Sequence, residues 1–378
     1  MRPCDVAVVG AGIVGAATAW ELHARGVEVA LLDRGEVSGA TTGLGEGNVL
    51  SSDKEVGPEL ELTLAGLRVY DELEEHVGAP ARIRRKGALI VHREQETWAG
   101  EAARVQRLVA AGAQGRLLDA AEVRTMEPEL TGSLAGASFF PGDLQCAPRA
   151  IAQALADGLP RVHTGVDVNA VAVEHDRVTG VRTSEGVLPC AAAVVAAGPW
   201  SRPLAETAGI ALPLDPRKGQ LVRLRPARRD ERLIRHKVVE AGYLGSVASV
   251  DAGLQVTTVL ETTWEGDVLV GSSRERRGFD LSVDDAVSRS MLEQAFALMP
   301  GLRALALDAA WAGLRPWLPD GLPAVGPSRS VAGLWLATGH EGAGVALGPV
   351  SGRLIAQLYA GEAPVVDPAP FSPDRFEP

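Results

Sequence analysis

Val6-Ala7-Val8-Val9-Gly10-Ala11-Gly12-Ile13-Val14-Gly15, closed by Val27-Glu28-Val29-Ala30-Leu31-Leu32-Asp33-Arg34, is the stretch that decides the fold. Val6–Val9 has no polar residue, as expected of a short strand buried on both faces. Ile13–Arg25 has helical length, with small alanines to face a sheet. Gly26 ends it, as a glycine just past a helix does. Val27–Leu32 reads as a second buried strand that finishes on Asp33. Between strand and helix, Gly10-x-Gly12-x-x-Gly15 is spaced for three tasks. Gly10 allows the tight turn, Gly12 lets backbone approach a pyrophosphate, and Gly15 lets the helix lie close to the sheet. The first helical residues, Ile13 and Val14, sit where unpaired N–H groups and the helix dipole favour phosphate. Asp33 is placed to accept hydrogen bonds from ribose hydroxyls, with Arg34 beside it, and disfavours a phosphorylated ribose. This βαβ start predicts a dinucleotide site without separating a flavin from a nicotinamide.

Outward from there, helices are expected over Glu59–Val77, Glu94–Ala111, Ala120–Glu127, Ala150–Asp157, Ser282–Met299 and Pro349–Tyr359. Strands are expected over Gly87–His92, Asp167–Glu174, Val178–Thr183, Ala191–Ala197 and Gly333–Thr338. Ser38–Asp53, rich in Gly, Ser and Thr, reads as a loop. Gln220–Val270 has a strand-like pattern broken by turn residues. Continuous apolar strands lie at both ends and in the middle, with alternating ones between them. The fold class is therefore α/β, a Rossmann-like domain assembled from discontinuous segments with an inserted mixed or antiparallel β-sheet domain. The boundaries fall at 1–80, 147–212 and 322–366 for the first domain and 81–146 and 213–321 for the second. Residues 367–378 form a Pro-rich tail expected to wrap the surface.

Composition narrows the function classes. The 378 residues suit about two domains, with 46% hydrophobic and 22% charged residues. A net charge of −11 argues against nucleic acid, whose phosphates need a basic face. No apolar run approaches the roughly 20 residues that span a bilayer. No signal peptide is visible. Cys4, Cys146 and Cys190 have no metal-ligand spacing and fit reduced thiols in the cytoplasm. No metal site, hydrolase triad or paired-carboxylate arrangement stands out.

Four further segments resemble the D-amino-acid oxidase-like superfamily of FAD enzymes, which includes glycine oxidase, sarcosine oxidase and D-amino-acid dehydrogenases. The first is Ser38-Gly39-Ala40-Thr41-Thr42-Gly43 with Gly45-Glu46-Gly47-Asn48. The resemblance implies that this loop wraps the pyrophosphate and reaches the flavin through Ala40, Thr41, Thr42, Gly45, Gly47 and Asn48. The second is Val194-Val195-Ala196-Ala197-Gly198-Pro199-Trp200-Ser201, implying that Ala197, Gly198 and Trp200 lie near the cofactor. Val166 matches the position whose backbone contacts adenine. The third, Trp311-Ala312-Gly313-Leu314-Arg315-Pro316, implies that Arg315 pairs with the substrate carboxylate and borders the cofactor. A guanidinium offers a planar bidentate fork for that pairing. The fourth is Ala337-Thr338-Gly339-His340-Glu341-Gly342-Ala343-Gly344-Val345-Ala346. It implies a turn beside the flavin, with Gly342, Ala343, Gly344, Val345 and Ala346 aiming a helix N-terminus at the ring and His340 alongside. The detail of the first and last motifs is similar to the branch of D-hydroxyproline dehydrogenases, opine oxidases and cyanide-synthase subunits.

The implied reaction is FAD-dependent oxidation of the C–N bond of an amino or imino acid. The substrate would be a D-amino acid, a proline- or hydroxyproline-like acid, or an N-substituted amino acid. Hydride passes from Cα to flavin N5 and leaves an imine. Arg315 is the principal catalytic-site residue, with Tyr243 as a second hydrogen-bond donor to the carboxylate and His340 as a further candidate. In some relatives a lysine near N5 assists oxygen. No lysine follows Lys237 here, which leaves Lys218 as the candidate for that role and favours an acceptor protein or a quinone over oxygen. No cysteine follows Cys190, so FAD is expected to be non-covalent. The alternatives are an oxygen-using enzyme like sarcosine or glycine oxidase, and an electron-relay subunit. Some members of that branch work within hetero-oligomers, so a hetero-oligomer or a homodimer is expected.

Overall fold

The computed structural model describes residues 1–130, 133–228 and 233–376. The expectations over Gln220–Val270 and 367–378 therefore extend outside the described residues at 229–232 and 377–378. In the first sheet, the strand Cys4–Val9 lies between Val29–Leu32 and Gly186–Val195, parallel to both. Val162–His163 extends one edge and Leu334–Thr338 the other, again parallel, and Ala324–Pro327 closes the sheet antiparallel. A central position explains the all-apolar sequence: Val6, Ala7 and Val8 are fully buried. Gly186–Val195 runs longer at its start than the Ala191–Ala197 expected. Its first half alternates buried and exposed residues and pairs with the hairpin Val168–Glu174 and Arg177–Thr183. Ala196 and Ala197 already belong to the turn.

Two helices share one face of this sheet. Ile13–His23 packs along Gly344–Ala360 because glycines on the second helix leave room. A Cβ on Gly352 would come within 2.6 Å of the Thr18 nitrogen. A Cβ on Gly348 would come within 3.2 Å of Ile13 and Val14, so the two helix N-termini start side by side. The last helix begins at Gly344, ahead of the expected Pro349, which sits inside it. A proline there removes the N–H that would bond the carbonyl four residues earlier. That carbonyl, on Val345, instead accepts a 2.6 Å hydrogen bond from the Tyr70 hydroxyl.

The second sheet runs Ala306–Trp317, Asp215–Arg225, Val268–Arg274, Gln255–Thr262, Lys237–Glu240, Ala88–His92, Gly136–Phe140, Arg116–Leu118. All neighbours are antiparallel except Lys237–Glu240 beside Ala88–His92. Alternation sends Leu89, Val91, Val238 and Leu260 to a core under the helix Asp285–Leu298, with Met291 and Ala295. The other face carries Ile90, Val239 and Val259. The first sheet draws its strands from residues 4–32, 162–195 and 324–338, and the second from 88–140 and 215–317.

Four local expectations need correction. Ser38–Asp53 holds a short helix, Thr41–Leu44, and a strand, Asn48–Val49, that pairs with Leu144–Gln145. Glu94–Ala111 is two helices, Gln95–Ala99 and Glu101–Ala110, separated at Gly100, where glycine weakens the helix. Within Gln220–Val270 lies the helix Gly242–Ala248, whose two glycines hide it from propensity; Tyr243 and Leu244 pack it onto the sheet. The tail is anchored as well as superficial: Phe371 is buried, and Arg375 bonds Asp320 and the Leu322 carbonyl.

Candidate active site

A cavity of about 390 Å³ runs between the two sheets, from the Gly10–Gly15 turn to Arg315. At its first end the wall is backbone. Gly10 has φ +108°, and a Cβ there would lie 2.4 Å from the Ala196 carbonyl oxygen. A Cβ on Gly15 would lie 1.8 Å from the Gly10 oxygen. Gly12 differs: its missing Cβ faces only the Thr42 hydroxyl, at 3.1 Å, and leaves the cavity wall bare. Thr42 Oγ1 also accepts the Ile13 N–H at 3.1 Å, so its own proton remains to be donated. Ser38 Oγ, buried at the wall, has no partner.

The Asp33 carboxylate is fixed by N–H groups of Ala11 (2.7 Å) and Gly35 (2.8 Å), one to each oxygen. Each oxygen keeps lone-pair capacity for a ligand hydroxyl. The Val166 N–H donates to the Asp33 carbonyl at 3.0 Å. Arg34 lies over the Trp200 ring at 4.1 Å, and Trp200 stacks on Phe279 at 5.6 Å.

Midway, the loop after Asp33 is tied to the second sheet. Thr41 Oγ1 donates to the Leu314 carbonyl at 2.8 Å, and Trp311 Nε1 to the Leu44 carbonyl at 2.8 Å. The first turn of Gly344–Ala360 reaches the wall without a side-chain cap or an acidic residue. Its N–H groups and positive dipole end therefore face the cavity.

At the far end the wall is charged. Arg315 reaches across Gly219, where a Cβ would lie 2.2 Å from its Nη1, and donates to the Ser273 carbonyl at 3.1 Å. Glu341 lies beside it, its Oε1 3.9 Å from Arg315 Nε, 3.5 Å from Arg274 Nε and 3.7 Å from Arg217 Nη1. Burial raises the Glu341 pKa, but the three guanidiniums outweigh it and hold the carboxyl below its usual range. The Arg274 guanidinium covers the Tyr243 ring at 4.5 Å. Lys237 Nζ reaches the cavity paired with Glu46 at 2.8 Å. Lys218 instead bonds Asp280 at 3.0 Å, away from the cavity.

The cofactor and catalytic-site residues expected from the sequence line this cavity except Gly15 and Gly47, whereas Lys218, the candidate for assisting oxygen, does not. Gly15 serves the turn, and Gly47 meets the Cys146 carbonyl, where a Cβ would be 1.9 Å away. His340 is buried, its Nε2 3.0 Å from Ser351 Oγ, and burial lowers its pKa to about 3. It is a neutral ring braced against the last helix and a poor proton acceptor. Glu341, Arg274, Arg217, Lys237 and Glu46 were not among the selected site residues. Strand alternation would have found the arginines, since Arg217 shares a face with Gly219, and Arg274 with Ser272.

Fold and cavity together define a dinucleotide-dependent oxidoreductase whose cofactor channel ends in a cationic pocket. The family model DAO, FAD dependent oxidoreductase, matches residues 5–358, and the chain belongs to that family of enzymes acting on amino acids or amines. It is 30% identical over 393 residues to glycine oxidase of Pseudomonas aeruginosa, covering 97% of this chain and 98% of that one. It is 29% identical over 423 residues to the hydrogen cyanide synthase subunit HcnC of the same organism, covering 100% and 97%. The crystal structure of glycine oxidase from Geobacillus kaustophilus superposes with a TM-score of 0.88 at 26% identity, covering both chains fully. The cavity fits FAD, the family's cofactor: Gly12 leaves a bare wall for the pyrophosphate, Ser38 Oγ lacks a partner there, and two helix N-termini border one channel. Among the described residues there is no metal-ligand cluster and no helix long and apolar enough to cross a membrane.

Proposed function

We propose that the chain oxidises the Cα–N bond of a D-amino acid, a cyclic imino acid or an N-substituted amino acid. Bound FAD would supply the hydride acceptor, and water would hydrolyse the resulting imine. The observation that carries the reading is Arg315, a guanidinium in the cavity wall with Tyr243 nearby. Arg315 holds the substrate carboxylate, which fixes the direction of Cα–H by proximity. Tyr243 donates the second hydrogen bond. The uncapped N-terminus at Gly344 favours negative charge developing in the cavity during turnover. Gly12, Ser38 and Thr42 hold the pyrophosphate, Asp33 the ribose, and Arg34 with Trp200 border the adenine. His340 supports the turn and moves no proton.

The cofactor is held non-covalently, because Cys4, Cys146 and Cys190 are buried and none reaches the cavity. Acid precipitation is expected to leave the flavin in the supernatant. Electrons would pass to an acceptor protein or quinone, in the cytoplasm, within a hetero-oligomer or a homodimer. A second reading, direct use of oxygen, is favoured by one observation, the Lys237 ammonium in the cavity wall. Its pairing with Glu46 opposes that reading by offsetting the charge that would stabilise superoxide. Anaerobic addition of D-proline, D-hydroxyproline, other D-amino acids and sarcosine to purified holoprotein tests the proposal. Bleaching of the flavin band by one of them supports it; a dithionite-reducible flavin that none of them bleaches contradicts it. Peroxide released at the rate of turnover would replace the acceptor with oxygen.

A further inference from the structure

We infer that the substrate of this site is a dicarboxylic amino or imino acid, its second carboxylate answering Arg274 and Arg217 while Arg315 takes the first. The inference rests on the amino-acid-oxidising reading above and names its substrate class. It starts from strand register. Arg217 and Arg315 stand directly opposite each other on neighbouring antiparallel strands. Like charges in that position repel. Arg274, on the strand flanking the other side of Asp215–Arg225, adds a third guanidinium. Arg315 lines the cavity, and Arg217 and Arg274 stand behind its wall, on the strand face shared with Gly219 and Ser272, which line it.

The counter-charge is incomplete. Arg217 and Arg274 are almost fully buried, at 1% and 2% exposure. Among the described residues, Glu341 is the only carboxylate within 4.0 Å of any of the three. None of those approaches is a hydrogen bond: Glu341 Oε1, Arg217 Nη1 and Arg274 Nε are buried without a hydrogen-bond partner. The remaining contacts are neutral. Arg217 Nη2 donates to the Ser246 and Ser249 carbonyls at 3.2 and 3.1 Å, and Arg274 Nη1 to Ser246 Oγ at 3.1 Å. Three cations thus surround one anion. Buried charge without compensation is costly, and removal of a partner from such a site is strongly destabilising. A monocarboxylate leaves one positive charge unanswered; a dicarboxylate answers both.

The way in is open. Gly342 lines the cavity, and a Cβ there would find only Arg315 Nε at 3.6 Å, Arg315 Cδ at 3.7 Å and Arg274 Nη2 at 4.0 Å. No side chain at position 342 screens the two guanidiniums from a ligand. Arg217 lies behind Glu341 and acts through its field. Burial and, after it, repulsion from Arg274 lower the Arg315 pKa, and Glu341 offsets only part of that.

The test uses purified holoenzyme and matched pairs that differ by one carboxylate: D-alanine with D-aspartate and D-glutamate, and sarcosine with iminodiacetate. Anaerobic flavin bleaching gives kcat/KM for reduction. Displacement of the oxidised flavin spectrum by succinate or glutarate, against propionate or butyrate, gives binding without turnover. The dicarboxylate of each pair is expected to be favoured by about tenfold or more in both readouts. Arg274→Met should bring the ratio close to one, and Arg274→Lys should keep most of it. If Arg274→Met does not fold, the wild-type ratios decide. Monocarboxylates that bleach the flavin as efficiently as their partners overturn the inference and leave the amine-oxidation reading standing. A flavin that no amine of either kind bleaches overturns both.

Discussion

At the glycine end of the cavity the wall is backbone, shaped by Gly10, Gly12 and the first turn of Ile13–His23. At the arginine end it is side chains, with Arg315 from a strand and Glu341 from a turn in the wall and Arg217 and Arg274 from two neighbouring strands behind Glu341. The first end binds by what is missing: a Cβ at Gly12 would stand on the cavity wall, and one at Gly15 would destroy the turn. The second end holds charge out of water, which the protein leaves only partly compensated. Sites of this second kind trade stability for function. The glycine end should therefore fail by losing the fold or the cofactor, and the arginine end by losing substrate.

The largest effect is expected from Gly15→Val. Its Cβ falls 1.8 Å from the Gly10 oxygen, and backbone cannot give way there. A loss above about 3 kcal/mol is expected, seen as insoluble or colourless protein. Soluble yellow protein with an unchanged melting temperature would remove the close approach from the account. Gly12→Ala should separate cofactor from fold. Its Cβ meets only the Thr42 hydroxyl, at 3.1 Å, so the apoprotein should melt within about 1 kcal/mol of wild type. FAD affinity, measured by flavin fluorescence on titration, should fall about tenfold. Equal affinity would mean that Gly12 does not face the pyrophosphate.

The smallest effect is a pH slope. His340 is depressed to about 3 by burial, below an unfolded value near 6.5. Its neutral state contributes stability that is complete above about pH 6.5 and is lost as pH falls toward about 3. The loss is at most about 1.4 kcal/mol per pH unit. His340→Gln should flatten the melting-temperature profile across that window and leave it unchanged above it. Identical slopes would show that the ring takes a proton in the folded protein.

The same contrast explains what could be read in the sequence. The glycine end is local: strand, turn and helix lie within the first 35 residues, and each glycine has its reason in its immediate neighbours. The apolar strands could be read because burial on both faces leaves them no polar residue. The arginine end depends on register between distant strands. Nothing near Arg217 announces that it stands opposite Arg315, and in Arg217-Lys218-Gly219-Gln220 the lysine turns away from the cavity to Asp280. Lys237 carries no local signal either, although register brings it to the cavity beside Glu46. The helix Gly242–Ala248 was hidden because packing of Tyr243 and Leu244, and not propensity, holds it. Pro349 misled in the other direction, since its interruption of the last helix is satisfied by Tyr70, whose distance in sequence gives no local sign.

The central claim is that Arg315 holds the substrate carboxylate in a site that binds FAD independently of it. The measurement that tests it most directly is anaerobic titration of wild-type and Arg315→Met holoprotein with the same amino acid, followed at the flavin band. Both proteins are expected to be yellow and to melt alike, while the variant needs at least about a hundredfold more substrate for half-reduction, as when a charged partner of a carboxylate is removed. Half-reduction of both proteins at the same concentration would contradict it and place the carboxylate elsewhere.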